Sequence, residues 1–150
     1  MPIQIGDSLP NFTAFKQDGT TFTSQDIQNK PVVIYFYPKD NTPGCTAQAC
    51  SFRDAYQDFQ DLDAEVIGVS GDSIRSHQGF QQKYKLPFFL LSDENRKLRK
   101  LFGVPTALFG LIPGRVTYVF NSKGLCIYIF DSLSAREHIS KALIALSAKK

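Results

Sequence analysis

Three cysteines, Cys45, Cys50 and Cys126, are the main candidates for chemistry in this chain of 150 residues. Cys45 stands in the string Tyr37-Pro38-Lys39-Asp40-Asn41-Thr42-Pro43-Gly44-Cys45-Thr46. An apolar run ends at Pro38, a short polar loop follows, and apolar residues at helical spacing begin just after Cys45. This order places the thiol in the first turn of a helix. There, free backbone N–H groups and the helix macrodipole favour an anion, so the sulfur is expected as a reactive thiolate. Thr42 can turn its hydroxyl towards the same pocket. Pro38 and Pro43 remove backbone donors and stiffen the loop.

Cys50 follows five residues later on the same expected helix. In an ideal helix that spacing separates the Cα atoms by about 8.6 Å and turns the side chains about 140° apart. A disulfide needs Cα atoms within about 7 Å and converging Cβ vectors. The two sulfurs therefore cannot join unless the helix unwinds. The spacing is either accidental or the mark of a redox cycle coupled to local unfolding. Cys126 lies in Leu-Cys-Ile-Tyr-Ile-Phe, where a free cysteine behaves as a small buried hydrophobe. No two cysteines have CxxC spacing, and His77 and His138 are far from them in sequence. A structural zinc site needs four ligands at paired spacings, so no metal is expected. Each histidine is expected as an exposed helix residue.

The elements that must position Cys45 follow from periodicity. Asn11 to Thr23 reads as two short strands around a Gln17-Asp18-Gly19-Thr20 turn, in which Asp-Gly is a hairpin signal. Pro31 to Pro38 is a continuous apolar run rich in β-branched and aromatic residues, a central strand buried on both faces. Ala49, Phe52, Tyr56 and Phe59 recur every three or four positions, which predicts a helix from Thr46 to about Leu62. Glu65 to Ser70 is a second core strand. A helix from Ser73 to Lys85 takes Ser73 as its N-cap. A third strand starts at Phe88, and Ser92 is expected to cap a helix through Phe102. Arg115 to Phe120 and Leu125 to Phe130 form a hairpin, and Ser134 to Ser147 is a closing helix. Strands alternating with helices imply parallel neighbours and helical crossovers. The expected fold is α/β and thioredoxin-like: a mixed central sheet flanked by helices, with an N-terminal β-hairpin, in a single domain over residues 1–150.

Composition narrows the function classes. Hydrophobic residues make up 43% and charged residues 21%, which excludes a disordered tail or a disulfide-dense miniprotein. The net charge of +3 is mild. Arg96, Lys97, Arg99 and Lys100 alternate with Leu98, Leu101 and Phe102 at helical spacing, and are expected as a solvated helix face rather than a nucleic-acid surface. No apolar run exceeds the length of that from Val32 to Tyr37, far short of the roughly 20 residues of a membrane span. Asp7 and the lack of a basic leader argue against a signal peptide. The expected location is the cytoplasm, or the chloroplast stroma or thylakoid lumen if a transit peptide has been removed. Gly68-Val69-Ser70-Gly71 follows a strand but matches neither nucleotide-binding glycine pattern.

Pro38-xxx-Thr42-xx-Cys45 resembles the peroxiredoxin active-site signature. The longer string YPKDNTPGCTAQACSFRD is similar to the peroxiredoxin Q, or bacterioferritin comigratory protein, subfamily. The likeness runs from GDSLPNF through LLSDEN and LFGV to GRVTYVFNSKG and covers nearly the whole chain. It implies that Cys45 is the peroxidatic cysteine, Cys50 the resolving cysteine, and Arg115 an active-site arginine from a distant strand, with Thr42 and Pro38 completing the site. It further implies a thiol-dependent peroxidase that reduces hydrogen peroxide and organic hydroperoxides through a sulfenic acid and a Cys45–Cys50 disulfide. Thioredoxin is the implied reductant, the chain is implied to be a monomer, and the chemistry requires neither metal nor flavin. Gln48 stands where many peroxiredoxins have Glu, and is left outside the core site. Phe12, Phe36 and Phe109 could line a hydrophobic entrance, although core packing accounts for each. The competing reading is a thiol–disulfide oxidoreductase or redox-sensing binding module of the same fold. Val104-Pro105-Thr106 resembles the cis-proline segment of thioredoxins, but the CxxC pair is missing.

Overall fold

The computed structural model describes residues 2–27, 29–107, 112–132, 134 and 137–148; Phe109 lies outside them. In chain order the elements are strands β1 (Thr13–Lys16), β2 (Thr21–Thr23) and β3 (Val32–Phe36), helices α1 (Pro43–Asp54) and α2 (Tyr56–Asp61), and strand β4 (Glu65–Ser70). Helix α3 (Ile74–Tyr84), strand β5 (Phe89–Ser92) and helix α4 (Lys97–Phe102) follow. Strands β6 (Thr106–Ala107), β7 (Ile112–Pro113), β8 (Val116–Phe120) and β9 (Cys126–Asp131) precede helix α5 (Glu137–Ala148). Seven strands form one sheet in the order β2-β1-β5-β4-β3-β8-β9. The β3, β4 and β5 strands run parallel; β8 pairs antiparallel with β3, and β1 antiparallel with β5. This is the expected mixed sheet with its N-terminal hairpin. The β6–β7 pair is a small separate ribbon that the periodicity did not announce.

Strand β3 is buried at every position, and its period-two alternation divides it between two cores. Val33, Tyr35 and then Tyr37 pack with Cys45, Ala49, Phe52, Phe59 and Phe80 on the face covered by the larger helices. Val32, Ile34 and Phe36 pack with Phe12, Phe22, Leu98, Phe102 and Tyr118 on the other. Phe12 and Phe36 are therefore core residues, and Cys45 enters the first core at the C-terminal end of β3.

Gly68 lies inside β4, opposite Tyr35 of β3. A Cβ there would fall 2.9 Å from the Tyr35 ring and hydroxyl. The glycine makes room for a tyrosine and belongs to no phosphate loop.

Several expectations are corrected. The β3 strand ends at Phe36, not Pro38. The helix expected from Thr46 to Leu62 starts at Pro43 and is broken at Ala55, whose φ of −95° and ψ of 4° leave the helical region. The break turns α2 so that the Tyr56 hydroxyl reaches the Glu65 carboxylate at 3.0 Å while Phe59 stays buried. Ser92 does not cap α4. The Asp93 carboxylate accepts from the N–H groups of Leu98 (2.8 Å) and Arg99 (2.9 Å) instead, and the Ser92 hydroxyl donates to the Asp72 carbonyl. Arg99 is buried rather than part of a solvated face, and Leu101 is exposed. Both histidines are fully buried as well, because each finds partners for both ring nitrogens.

Candidate active site

The Cys45 loop is tied down before the helix begins. Asp40, buried, accepts from the Tyr37 hydroxyl (2.6 Å), the Ser76 hydroxyl (2.9 Å) and Nδ1 of His77 (2.7 Å). His77 Nε2 lies 2.9 Å from the Leu91 carbonyl oxygen. The Asp40 N–H donates to Asp72 Oδ2 at 2.8 Å. Ligand atoms of Asp40, Asp72 and His77 lie within 4.8 Å of one another, a spacing a cation could use. Protein hydrogen bonds already engage them, and together they anchor the loop to α3 and β4.

Thr42 is the N-cap residue of α1. Its hydroxyl donates to the Lys39 carbonyl at 2.8 Å rather than to an acceptor beyond the loop. With its proton so placed, the oxygen offers lone pairs to an incoming O–H. Pro43 has no N–H, and Thr46 N–H bonds the Thr42 carbonyl at 2.8 Å. The N–H groups of Gly44 and Cys45 thus remain at the helix start without intrahelical acceptors. Cys45, third residue of α1, is only 1% exposed.

Arg115, buried just before β8, donates from Nη2 to Cys45 Sγ at 3.4 Å. Seventy residues separate the pair in sequence. Its other fork, Nη1, donates to Gln48 Oε1. Gln48 is fully buried one turn along α1 from Cys45, and it shares the Arg115 guanidinium with that sulfur. The signal that could have found Gln48 is its i+3 position, which puts it on the same helix face as Cys45. At Gly44 a Cβ would lie 3.2 Å from Arg115 Nη2, so the glycine lets the guanidinium approach the helix start.

Pro38 is half-buried. It lines a cleft with Lys39, Gly71, Asp72, Glu94, Arg96 and Arg99, a set that does not include Cys45. Cys50 is half-buried on α1. All three cysteines are free thiols, and the unbroken helix from Pro43 to Asp54 holds Cys45 and Cys50 apart. Cys126 is buried in β9, and burial pushes its thiol up to about 11, which keeps it protonated and inert at neutral pH. No cis peptide bond occurs among the described residues. The Pro105 carbonyl accepts from Gly114 N–H at 3.0 Å, so this proline packs against the chain entering β8.

The arrangement joins a thiol at a helix start, a guanidinium on its sulfur and a hydroxyl ready to accept. It suits nucleophilic attack by sulfur on a bond whose departing atom gains negative charge.

Comparison with known proteins agrees. The model of the AhpC/TSA family matches residues 5–129. A Triticum aestivum protein named peroxiredoxin Q, chloroplastic, is 52% identical over 142 residues, covering 94% of this chain. The chain spans 65% of that relative's length. Two solved structures share the thioredoxin-like fold. Peroxidoxin BcpB of Mycobacterium tuberculosis superposes with a TM-score of 0.90 at 32% identity, covering 99% of both chains. The bacterioferritin comigratory protein of Xanthomonas campestris, described for its alkyl peroxide reduction activity, does so with a TM-score of 0.85 at 28% identity, covering 95% of this chain and 98% of its own.

Proposed function

This chain belongs to the AhpC/TSA family and, within it, to the peroxiredoxins of the Q type, which are thiol-dependent peroxidases, and we propose that Cys45 is its peroxide-reducing sulfur. The observation that carries the assignment is the 3.4 Å contact between Arg115 Nη2 and Cys45 Sγ at the start of α1. The Cys45 thiolate attacks one oxygen of a peroxide in line with the O–O bond. Sulfur gains that oxygen as a sulfenic acid, the O–O bond breaks, and the second oxygen leaves as hydroxide or alkoxide and takes up a proton. Negative charge moves from sulfur to the departing oxygen. Arg115 and the N–H groups of Gly44 and Cys45 are fixed donors beside that path. Thr42 accepts from the peroxide O–H and aligns it, and Pro38 stiffens the loop that carries them.

The sulfenic acid then condenses with the Cys50 thiol, forming a disulfide and releasing water. A dithiol restores both thiols with two electrons. Thioredoxin is the reductant that the family likeness suggests, hydrogen peroxide and organic hydroperoxides are the substrates, and the chain acts as a monomeric single domain. No helix among the described residues is long and apolar enough to cross a membrane. The name of the wheat relative supports a chloroplast location where a transit peptide precedes the chain, and the cytoplasm otherwise. Peroxide consumption coupled to thioredoxin and its reductase tests the proposal on wild type and Cys45→Ser. Turnover should vanish in the variant, and activity above about a tenth of wild type, ~1.4 kcal/mol of barrier, would remove Cys45 from its role.

A further inference from the structure

Arg99 is 8% exposed, yet among the described residues no carboxylate oxygen lies within 4.0 Å of its guanidinium. Burying such a cation without a paired charge is costly, so its partners are informative. Nη2 donates to the Tyr37 carbonyl and Nη1 to the Gly114 carbonyl, both at 3.2 Å. The guanidinium also stands 5.6 Å from the centroid of the Phe36 ring. These contacts share one location. The β3–β8 ladder ends with the Phe36–Val116 pair. Beyond it the two chains part: one passes through Tyr37 into the loop carrying Thr42 and Cys45, the other arrives through Gly114 and Arg115. Arg99 bridges a carbonyl on each side of the fork. Its own backbone is held by Asp93, whose N–H bonds the Ser70 carbonyl at the end of β4. Gly114 is fixed in turn, since a Cβ there would lie 2.2 Å from the Pro105 carbonyl oxygen.

We propose that Arg99 is a positioning residue for peroxide reduction: by clamping the Tyr37 and Gly114 carbonyls where β3 and β8 diverge, it sets the distance between Arg115 and Cys45. It touches neither the sulfur nor the peroxide and acts through Arg115. The inference rests on the assignment of Cys45 and Arg115 above.

The test is a double-variant cycle on the full chain. It reads the second-order rate of Cys45 oxidation by hydrogen peroxide in single turnover, with thermal unfolding measured alongside. Arg99→Met, which keeps the stem and loses the fork, should slow oxidation about ten- to a hundredfold, the scale of a small misplacement of a reacting group. Arg99→Lys, with one ammonium for two carbonyls, should fall between wild type and Arg99→Met. In the Arg115→Met background, Arg99→Met should change the rate less than about twofold, because coupled residues are non-additive. An equal loss in both backgrounds would mean that Arg99 serves general stability, and would overturn the clamp. So would a wild-type rate in folded Arg99→Met. If that variant does not fold, the same cycle with Arg99→Lys decides. Wild-type oxidation in Arg115→Met alone would overturn the site assignment itself, and the clamp with it.

Discussion

Gln48 and Arg115 are joined side chain to side chain, Oε1 to Nη1, while the other arm of the same guanidinium rests on Cys45. The amide thereby orients the cation that faces the sulfur. Among the described residues Gln48 Nε2 is buried without a partner, which costs stability. Gln48→Leu should slow Cys45 oxidation about tenfold by freeing Arg115. Its unfolding midpoint should change little, because the substitution also removes the unpartnered amide. Gln48→Glu keeps an acceptor for Nη1 and should retain most of the rate. Stopped-flow oxidation with parallel urea unfolding separates the two effects; a Gln48→Leu protein as fast as wild type would show that Arg115 needs no support from α1.

Removing the charge beside the sulfur should be felt directly. Arg115→Met keeps the stem, and Thr42→Val keeps the shape without the hydroxyl. Each should slow sulfenic acid formation by more than about tenfold, ~1.4 kcal/mol of barrier. Single-turnover oxidation by hydrogen peroxide, followed by stopped flow, reads both variants. A wild-type rate in Arg115→Met would mean that the N–H groups of the helix start suffice.

Cys45–Cys50 bonding requires α1 to open. Its C-terminal half is anchored by buried Phe52 and by Arg53 Nη1, which donates to the Tyr84 carbonyl at 2.9 Å. The break at Ala55 separates α1 from α2, so melting need not spread. Amide exchange should show residues 46–51 protected in the reduced protein and open after one equivalent of peroxide, with α2 unchanged. Cys50→Ser should consume one equivalent, stall as the sulfenic acid and over-oxidise under excess peroxide. Equal protection in both redox states would rule the intramolecular disulfide out.

His138 adds a pH dependence to stability. Its Nε2 lies 2.7 Å from the Ser132 carbonyl oxygen, to which it donates, leaving Nδ1 to accept from the Thr117 hydroxyl at 2.6 Å. Burial pulls the ring down from its ordinary 6.5 to about 4. The folded state thus favours neutral imidazole. Between pH 6.5 and 4 the unfolded chain binds the proton that the folded chain refuses, so this contribution is complete above 6.5 and is lost as pH falls towards 4. Urea unfolding at pH 7 and pH 5, run on wild type and His138→Asn, should show a smaller acid loss in the variant. An identical loss would place the acid sensitivity elsewhere.

Local spacing alone carried much of this protein. Proline, loop and apolar period placed Cys45 in a first helical turn, and five residues of helix were enough to say that Cys50 cannot reach it without unwinding. The unbroken apolar run at Val32 to Tyr37 announced a strand buried on both faces, and Asp18-Gly19 announced the first hairpin. These are near-neighbour properties, decided by sterics and hydrogen bonds within a few residues. Gln48, Arg99, His77 and His138 were not legible in the same way. Gln and Arg mostly face water and His is intermediate, and each of these four is buried against a partner distant in sequence. In sequence Arg99 looks like part of a solvated face because its partners, Tyr37 and Gly114, lie 62 and 15 residues away. Only the register of β3 against β8 decides which carbonyls meet that guanidinium, and only that register brings Arg115 to a sulfur seventy residues away.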